Sequence, residues 1–216
     1  IFKKDRDFMQ INTKQDHTAV VVVDIQADFT QAMQGSLAVG GADQAYLDAT
    51  ETETRRLKSL GYPIYATQDW HPANHISFFS NHDNTTPYDL IEIEGRQQVL
   101  WPPHCVQESP GARILMDESL FTAIVKKGMD PAFDSYSGFF DDGKKQTGLA
   151  DILKGSGIKK LIIYGLATDY CVKATVMDAI MLGFEVTLIK DLCRGVAPES
   201  TAAGLEEMKA AGVDIC

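Results

Sequence analysis

Thr18-Ala19-Val20-Val21-Val22-Val23-Asp24 is a continuous, mostly β-branched run with no polar alternation. A strand of that kind suits burial on both faces, the situation inside a parallel sheet covered by helices. The rest of the chain repeats the theme. Ala42 to Leu60 reads as a helix, with Tyr46, Leu47 and Leu57 set among charged residues and Gly61 as its stop. Tyr62 to Thr67 is a second strand ending at Gln68-Asp69, Phe121 to Val125 a short apolar run ending in Lys126-Lys127-Gly128, and Lys160 to Leu166 a further strand. Helical patterns cover Thr147 to Lys154, Asp169 to Leu182 closed by Gly183, and Pro198 to Ala211 with Pro near its start. Phe184 to Ile189 and Val213 to Ile215 supply two more strands. Strand and helix alternate from end to end, so the predicted fold class is α/β, a three-layer α/β/α arrangement with a largely parallel central sheet. Residues 70 to 118 hold Pro, Asn, Asp and aromatics with little periodicity, and so long an irregular stretch within a compact domain is usually functional.

A chain of 216 residues is long enough to bury a core as one domain. Residues 18 to 216 are read as that domain, behind a polar, unpatterned extension at 1 to 17. The net charge of -10 repels nucleic acid and anionic membranes at long range, so neither is expected as a partner and a small molecule is. The longest aliphatic run, Ala19 to Val23, falls far short of the roughly 20 residues a membrane span needs. Four scattered cysteines, Cys105, Cys171, Cys193 and Cys216, form no C-x-x-C pair and none of the density of a disulfide framework. They are read as reduced, and the expected compartment is the cytoplasm. The first residue is Ile1 rather than Met, which leaves room for a leader upstream; a homo-oligomer is also left open.

In an open parallel sheet, ligands bind in the crevice at the carboxyl ends of the strands. Asp24 ends the first strand, Asp69 the second, Lys127 follows the Phe121 to Val125 run, and Cys171 follows the Lys160 to Leu166 strand. Singly, each has an ordinary reading: an Asp as a turn former, a Lys-Lys pair as solvated surface, a cysteine as one more buried thiol. Together they place four reactive side chains on one edge of the sheet. Cys171 falls where a strand becomes a helix, and the unpaired N-H groups and positive dipole of a first helical turn are expected to favour its thiolate. The chemistry fits a hydrolase that passes through a thioester. Asp24 takes the thiol proton, the ammonium of Lys127 favours the anionic forms of both, Cys171 attacks a carbonyl, and backbone N-H groups near Ala167 and Cys171 hold the oxyanion.

A second cluster lies in Asp69-Trp70-His71-Pro72-Ala73-Asn74-His75 and Trp101-Pro102-Pro103-His104-Cys105. Asp69 and His71 are two apart at a strand end, where alternate side chains point the same way, so both can reach one cation. His104 completes three protein ligands and leaves positions open for water or substrate. The other reading is histidines that cap turns and bond to backbone. His82 and His17 lack such neighbours and receive no role. Gly35-Ser36-Leu37-Ala38-Val39-Gly40-Gly41 looks like a phosphate loop, but Gly41 stands where a Walker A sequence requires Lys, and nucleotide binding is rejected. Phe29, Trp101 and Tyr136 offer a stacking wall to a pocket, or plain core.

Several segments carry a resemblance, in order and over nearly the whole chain after residue 17. They are Val23-Asp24-Ile25-Gln26-Ala27-Asp28-Phe29, Gly35 to Val39, Thr67-Gln68-Asp69-Trp70-His71-Pro72, Trp101 to Cys105, Lys127-Gly128 with Ser135-Tyr136-Ser137-Gly138-Phe139, and Gly165 to Val172. They resemble nicotinamidases, also called pyrazinamidases, of the isochorismatase-like cysteine hydrolases. The resemblance implies the isochorismatase-like hydrolase fold, a catalytic triad of Asp24, Lys127 and Cys171, metal ligands Asp69, His71 and His104, and pocket aromatics Phe29, Trp101 and Tyr136. His75 matches a position that ligates metal in some members only. A cis peptide before Ala167 is also implied, turning the amides of Ala167 and Cys171 toward the oxyanion. One departure is Ala27, where Asn is common.

The implied activity is conversion of nicotinamide to nicotinate and ammonia through a Cys171 thioester, with pyrazinamide as a further substrate and NAD salvage as the setting. The implied cofactor is one divalent metal ion, zinc by preference, with iron or manganese as alternatives. It holds the pyridine nitrogen while the carboxamide meets Cys171. Within the wider group, isochorismatases cleave a vinyl ether and need no thiol, and the metal motif with Trp-Pro-Pro-His-Cys separates nicotinamidases from them. The alternative is a related amidase acting on another small amide or carbamoyl compound. A metal-dependent binding module without activity is disfavoured by the intact Asp24, Lys127 and Cys171.

Overall fold

The computed structural model describes residues 17–216, so the expected extension lies, apart from His17, outside the described residues. β1 (Thr18–Val23) has five consecutive buried residues, as its unbroken apolar run requires. Each of its valines contributes about 1.5–3 kcal/mol by leaving water. β1 pairs in parallel on one side with β2 (Ile64–Asp69) and on the other with β6 (Lys160–Leu166). Outside β2 lies β5 (Ala123–Lys127), and outside β6 lie β7 (Glu185–Arg194) and β8 (Asp214–Ile215). The order β5-β2-β1-β6-β7-β8 is parallel throughout.

The chain winds outward from β1 through β2 to β5, then returns and winds the other way from β6. Right-handed crossovers in opposite directions put their helices on opposite faces of the sheet, and the reversal between β1 and β6 is the topological switch point. α1 (Gln44–Ser59) is capped by Asp43, whose side chain accepts from Tyr46 N at 3.0 Å, and buries Tyr46, Leu47 and Leu57. α2 (Leu149–Gly155), α3 (Lys173–Met181) and α4 (Pro198–Ala210) complete the layers. Among the described residues no helix is long and apolar enough to cross a membrane.

Three expectations are corrected. The strand at Phe121 to Val125 begins at Ala123 and runs through Lys127, so the two lysines are strand residues rather than its exit. The segment 70 to 118 contains a hairpin, β3 (Leu90–Ile93) and β4 (Arg96–Val99), closed by Glu94 and Gly95, both at positive φ. Alternation over Leu90 to Ile93 and a two-residue turn ending in Gly were its signal. The helix expected from Asp169 opens as a π-helical turn, Thr168–Val172, before α3.

Candidate active site

Strand register sets the first contacts. Asp69 and Lys127 are the last residues of β2 and β5 and face each other across the ladder. Successive strand residues point to opposite faces, so Lys126 turns outward, 3.7 Å from the centroid of the Trp70 ring, while Lys127 turns inward and is 1% exposed. Asp24 follows β1 at φ 49° and is fully buried. Cys171 lies in the turn after β6. That strand can press against β1 only because residue 165 is glycine, since a Cβ there would sit 2.1 Å from Val23 O.

Lys127 Nζ is the hub. It contacts Asp69 Oδ1, lies 3.0 Å from Asp24 Oδ2, donates to Ser135 O at 2.8 Å, and reaches Cys171 Sγ at 3.5 Å. Burial alone would lower its pKa, but the charges of Asp24 and Asp69 outweigh that and hold it well above the ordinary lysine value. Thr67 Oγ1 donates to Asp24 Oδ1 at 2.6 Å. Asp24 Oδ2 faces the Lys127 ammonium as an ion pair. The carboxylates of Asp24 and Asp69 and the sulfur of Cys171 lie within 4.8 Å of one another. Burial raises the pKa of Asp24; Lys127 opposes the rise and Asp69 adds to it.

The helix terminus favours a thiolate, and burial works against it. Burial pushes the Cys171 thiol well above its ordinary value, Lys127 pulls it back only in part, and Asp24 and Asp69 push it further. The helix-terminus argument counted the dipole and omitted the desolvation of a group that is only 7% exposed and stands among carboxylates.

Beside this triad, Asp69, His71 and His104 offer ligand atoms that all lie within 4.8 Å of one another. His71 Nδ1 bonds to Gly128 O at 2.9 Å and His104 Nδ1 to Pro102 O at 2.7 Å. A carbonyl only accepts, so each Nδ1 carries a proton and each Nε2 is the nitrogen available for ligation; Asp69, 3.5 Å from His71 Nε2, raises the His71 pKa, so His71 would give up its second proton on binding a metal. Gly128 sits at φ 66°, and a Cβ there would lie 2.3 Å from the His71 ring. Burial and the neighbouring His71 lower His104 to about 4, so it is neutral at pH 7. Burial would raise Asp69, but Lys127 and His71 hold it well below the carboxylate range. A buried carboxylate and two oriented, Nε2-facing imidazoles fit a divalent transition metal.

His75 is not brought into that group. Its Nδ1 pairs with Ser77 Oγ at 2.7 Å and its Nε2 with Phe133 O at 3.1 Å, while its ring lies tilted 4.2 Å from that of His71.

A cavity opens over Cys171 and Asp69. Phe29, Trp101, Tyr136, His104 and Ala167 all line it. Trp101 Nε1 donates to Tyr136 Oη at 3.0 Å, which fixes the two rings edge to face. The peptide Leu166-Ala167 is cis. Sequence reasoning missed the lining residues Tyr170 and Val196, and it missed Gln26. The Gln26 amide donates to Asp69 O at 2.8 Å and accepts from Asp69 N at 2.7 Å, clamping the backbone of a ligand residue. A fully buried Gln beside a strand end was the available signal for Gln26; Val196 had none, because only the tertiary fold brings it to the pocket.

An isochorismatase-domain family model matches residues 18–216. A nicotinamidase of Escherichia coli is 45% identical over 202 residues, covering 91% of this chain and 93% of that one. A nicotinamidase/pyrazinamidase structure from Acinetobacter baumanii superposes with a TM-score of 0.84 at 36% identity, covering 94% of this chain and 97% of that one. The pyrazinamidase of Pyrococcus horikoshii in complex with zinc gives a TM-score of 0.77 at 39% identity, with 93% and 98% covered.

Proposed function

The chain belongs to the isochorismatase-domain family, and from that premise we propose that it hydrolyses nicotinamide to nicotinate and ammonia, accepts pyrazinamide, and does so through a thioester on Cys171. The observation that carries this reading is the contact of Lys127 with Asp24, Asp69 and Cys171, beside a cavity that Cys171, Asp69 and His104 all line and next to the Asp69, His71, His104 cluster. Similarity to a nicotinamidase over nine-tenths of the chain supports it. The metal cluster beside the triad favours it over an amidase for another small amide or carbamoyl compound.

Cys171 rests as a thiol. In the proposed step the carboxamide carbon approaches Sγ, the Sγ-C bond forms, and the thiol proton passes to the carboxylate of Asp24. Lys127 keeps its charge throughout and stabilises the anionic partner on either side of the transfer. Backbone N-H groups at Ala167 and Cys171 receive the oxyanion. Collapse breaks the C-N bond, with the Asp24 proton leaving on ammonia. A water molecule then attacks the thioester carbon as Asp24 takes its proton; collapse breaks the Sγ-C bond, Asp24 returns the proton to Sγ, and the released acid ionises to nicotinate.

Asp69, His71 and His104 would hold one divalent metal ion, with zinc first and iron or manganese as alternatives. When bound, the metal supplies a Lewis-acidic partner for the pyridine nitrogen. Phe29, Trp101 and Tyr136 would hold the ring plane. All four cysteines are free, which fits a cytoplasmic role in NAD salvage.

The test is ammonia release from nicotinamide by the purified protein, run beside isochorismate and N-carbamoyl compounds. Turnover of nicotinamide is expected; turnover confined to a carbamoyl compound would move the reading to the alternative amidase.

A further inference from the structure

The turn that carries Cys171 is tied to a distant part of the chain by one side chain. Asp169, 6% exposed, accepts from Val196 N at 2.9 Å through Oδ1, and from Ala197 N at 3.2 Å and Ser200 Oγ through Oδ2. These donors form the entry to α4, whose N-cap position is Ala197, a residue with no side chain able to cap. A carboxylate from outside the helix therefore takes the N-H of the N-cap residue and of the residue before it, at the positive end of a 13-residue helix. A second tie runs parallel to it, from Lys173 Nζ to Glu207 at 3.1 Å.

What this tie joins is specific. On one side stands Cys171, two residues after Asp169; on the other stands Val196, which lines the same cavity as Cys171. The carboxylate itself is taken up by its three donors and is not among the groups that line the cavity.

We propose that Asp169 is a positioning residue: by clamping the Cys171 turn to the Val196-Ala197-Ser200 entry of α4, it holds Sγ in register with Lys127 and Asp24. The proposal rests on the reading of Cys171 as nucleophile. A clamp of this kind acts on rate through geometry, since small misplacements of a nucleophile carry large penalties. Asp169 bonds neither to Phe29, Trp101 and Tyr136 nor to the metal ligands, so kcat should change more than KM.

The experiment compares Asp169→Asn and Ser200→Ala with the wild type, well below the melting temperature of each. It reads kcat and KM for nicotinamide separately, together with the rate at which iodoacetamide alkylates Cys171. Asn keeps the shape and one acceptor but sets an amide N-H against the remaining donors. Asp169→Asn is expected to lower kcat by roughly one to two orders of magnitude with KM within about twofold, and to change the alkylation rate of Cys171. Ser200→Ala removes one donor of three and should cost about fivefold in kcat. Wild-type kcat and alkylation in Asp169→Asn, whatever its melting temperature, would overturn the proposal and leave Asp169 as a helix cap. Should that variant not fold, unchanged kcat and alkylation in Ser200→Ala would overturn it equally. If the wild type released no ammonia from nicotinamide, the proposed function would fail, while the alkylation ratio would still decide the role of Asp169.

Discussion

Asp24 Oδ2 and Lys127 Nζ stand 3.0 Å apart with both side chains fully buried. The carboxylate is thus charge-paired through one oxygen. Thr67 Oγ1 donates to the other at 2.6 Å, so the orientation of the carboxylate beside Cys171 is fixed.

The pair can be tested by removing each half. Asp24→Asn keeps the shape and cannot accept the thiol proton; it should lower kcat/KM by about 10²-fold or more. Lys127→Met leaves two buried carboxylates without their cation and should cost stability as well, about 3–5 kcal/mol, because breaking a buried pair strands a charge. Steady-state ammonia release and thermal melts measure both. Wild-type rates in Asp24→Asn would remove it as the base.

The pH profile follows from the same residue. A base works only when ionised, so activity is present above the folded pKa of Asp24 and lost as pH falls through it. Burial, reinforced by Asp69 and only partly offset by Lys127, raises that pKa above its ordinary value of 3.8. The acid limb of kcat/KM should therefore lie above the ordinary value of 3.8, measured with metal content checked at each pH. A limb at or below that value would contradict the assignment.

Much of this site was legible in the sequence because chemistry-bearing residues sit at strand ends, and a parallel sheet gathers strand ends on one edge. Asp24, Asp69, Lys127 and Cys171 converge for that reason alone. The protonation of Cys171 was not legible, since it depends on burial and on carboxylates brought in from β1 and β2. Nor was the rim at Val196, which reaches the pocket only through the packing of α4 on the Cys171 turn. The hairpin Leu90 to Val99 was legible and passed over: its alternation was masked by the irregular sequence around it.

Metal binding has its own readout. Asp69, His71 and His104 should bind one divalent transition metal per chain, and His104→Ala should weaken that binding by an order of magnitude or more, read by elemental analysis after dialysis. Exhaustive chelation should abolish nicotinamide turnover. Stoichiometric metal retained by His104→Ala, or full activity after chelation, would remove His104 from the ligand set or the metal from the reaction.

Ring recognition joins the two clusters. If the metal holds the ring nitrogen while Cys171 meets the carboxamide carbon, a substrate needs both groups in a meta relation. Pyrazinamide keeps that nitrogen and should be hydrolysed, whereas benzamide lacks it and should be poor. Nicotinaldehyde should inhibit by forming a thiohemiacetal on Cys171. Equal efficiency on benzamide and nicotinamide, under identical metal loading, would favour a general amidase.

The most direct measurement is acid quench of the enzyme during turnover of nicotinamide, followed by mass spectrometry of its cysteine peptides. A nicotinoyl adduct is expected on the peptide containing Cys171, absent from those of Cys105, Cys193 and Cys216, with turnover abolished in Cys171→Ala. Ammonia release that persists in Cys171→Ala, with no adduct on Cys171 in the wild type, would contradict the thioester mechanism outright.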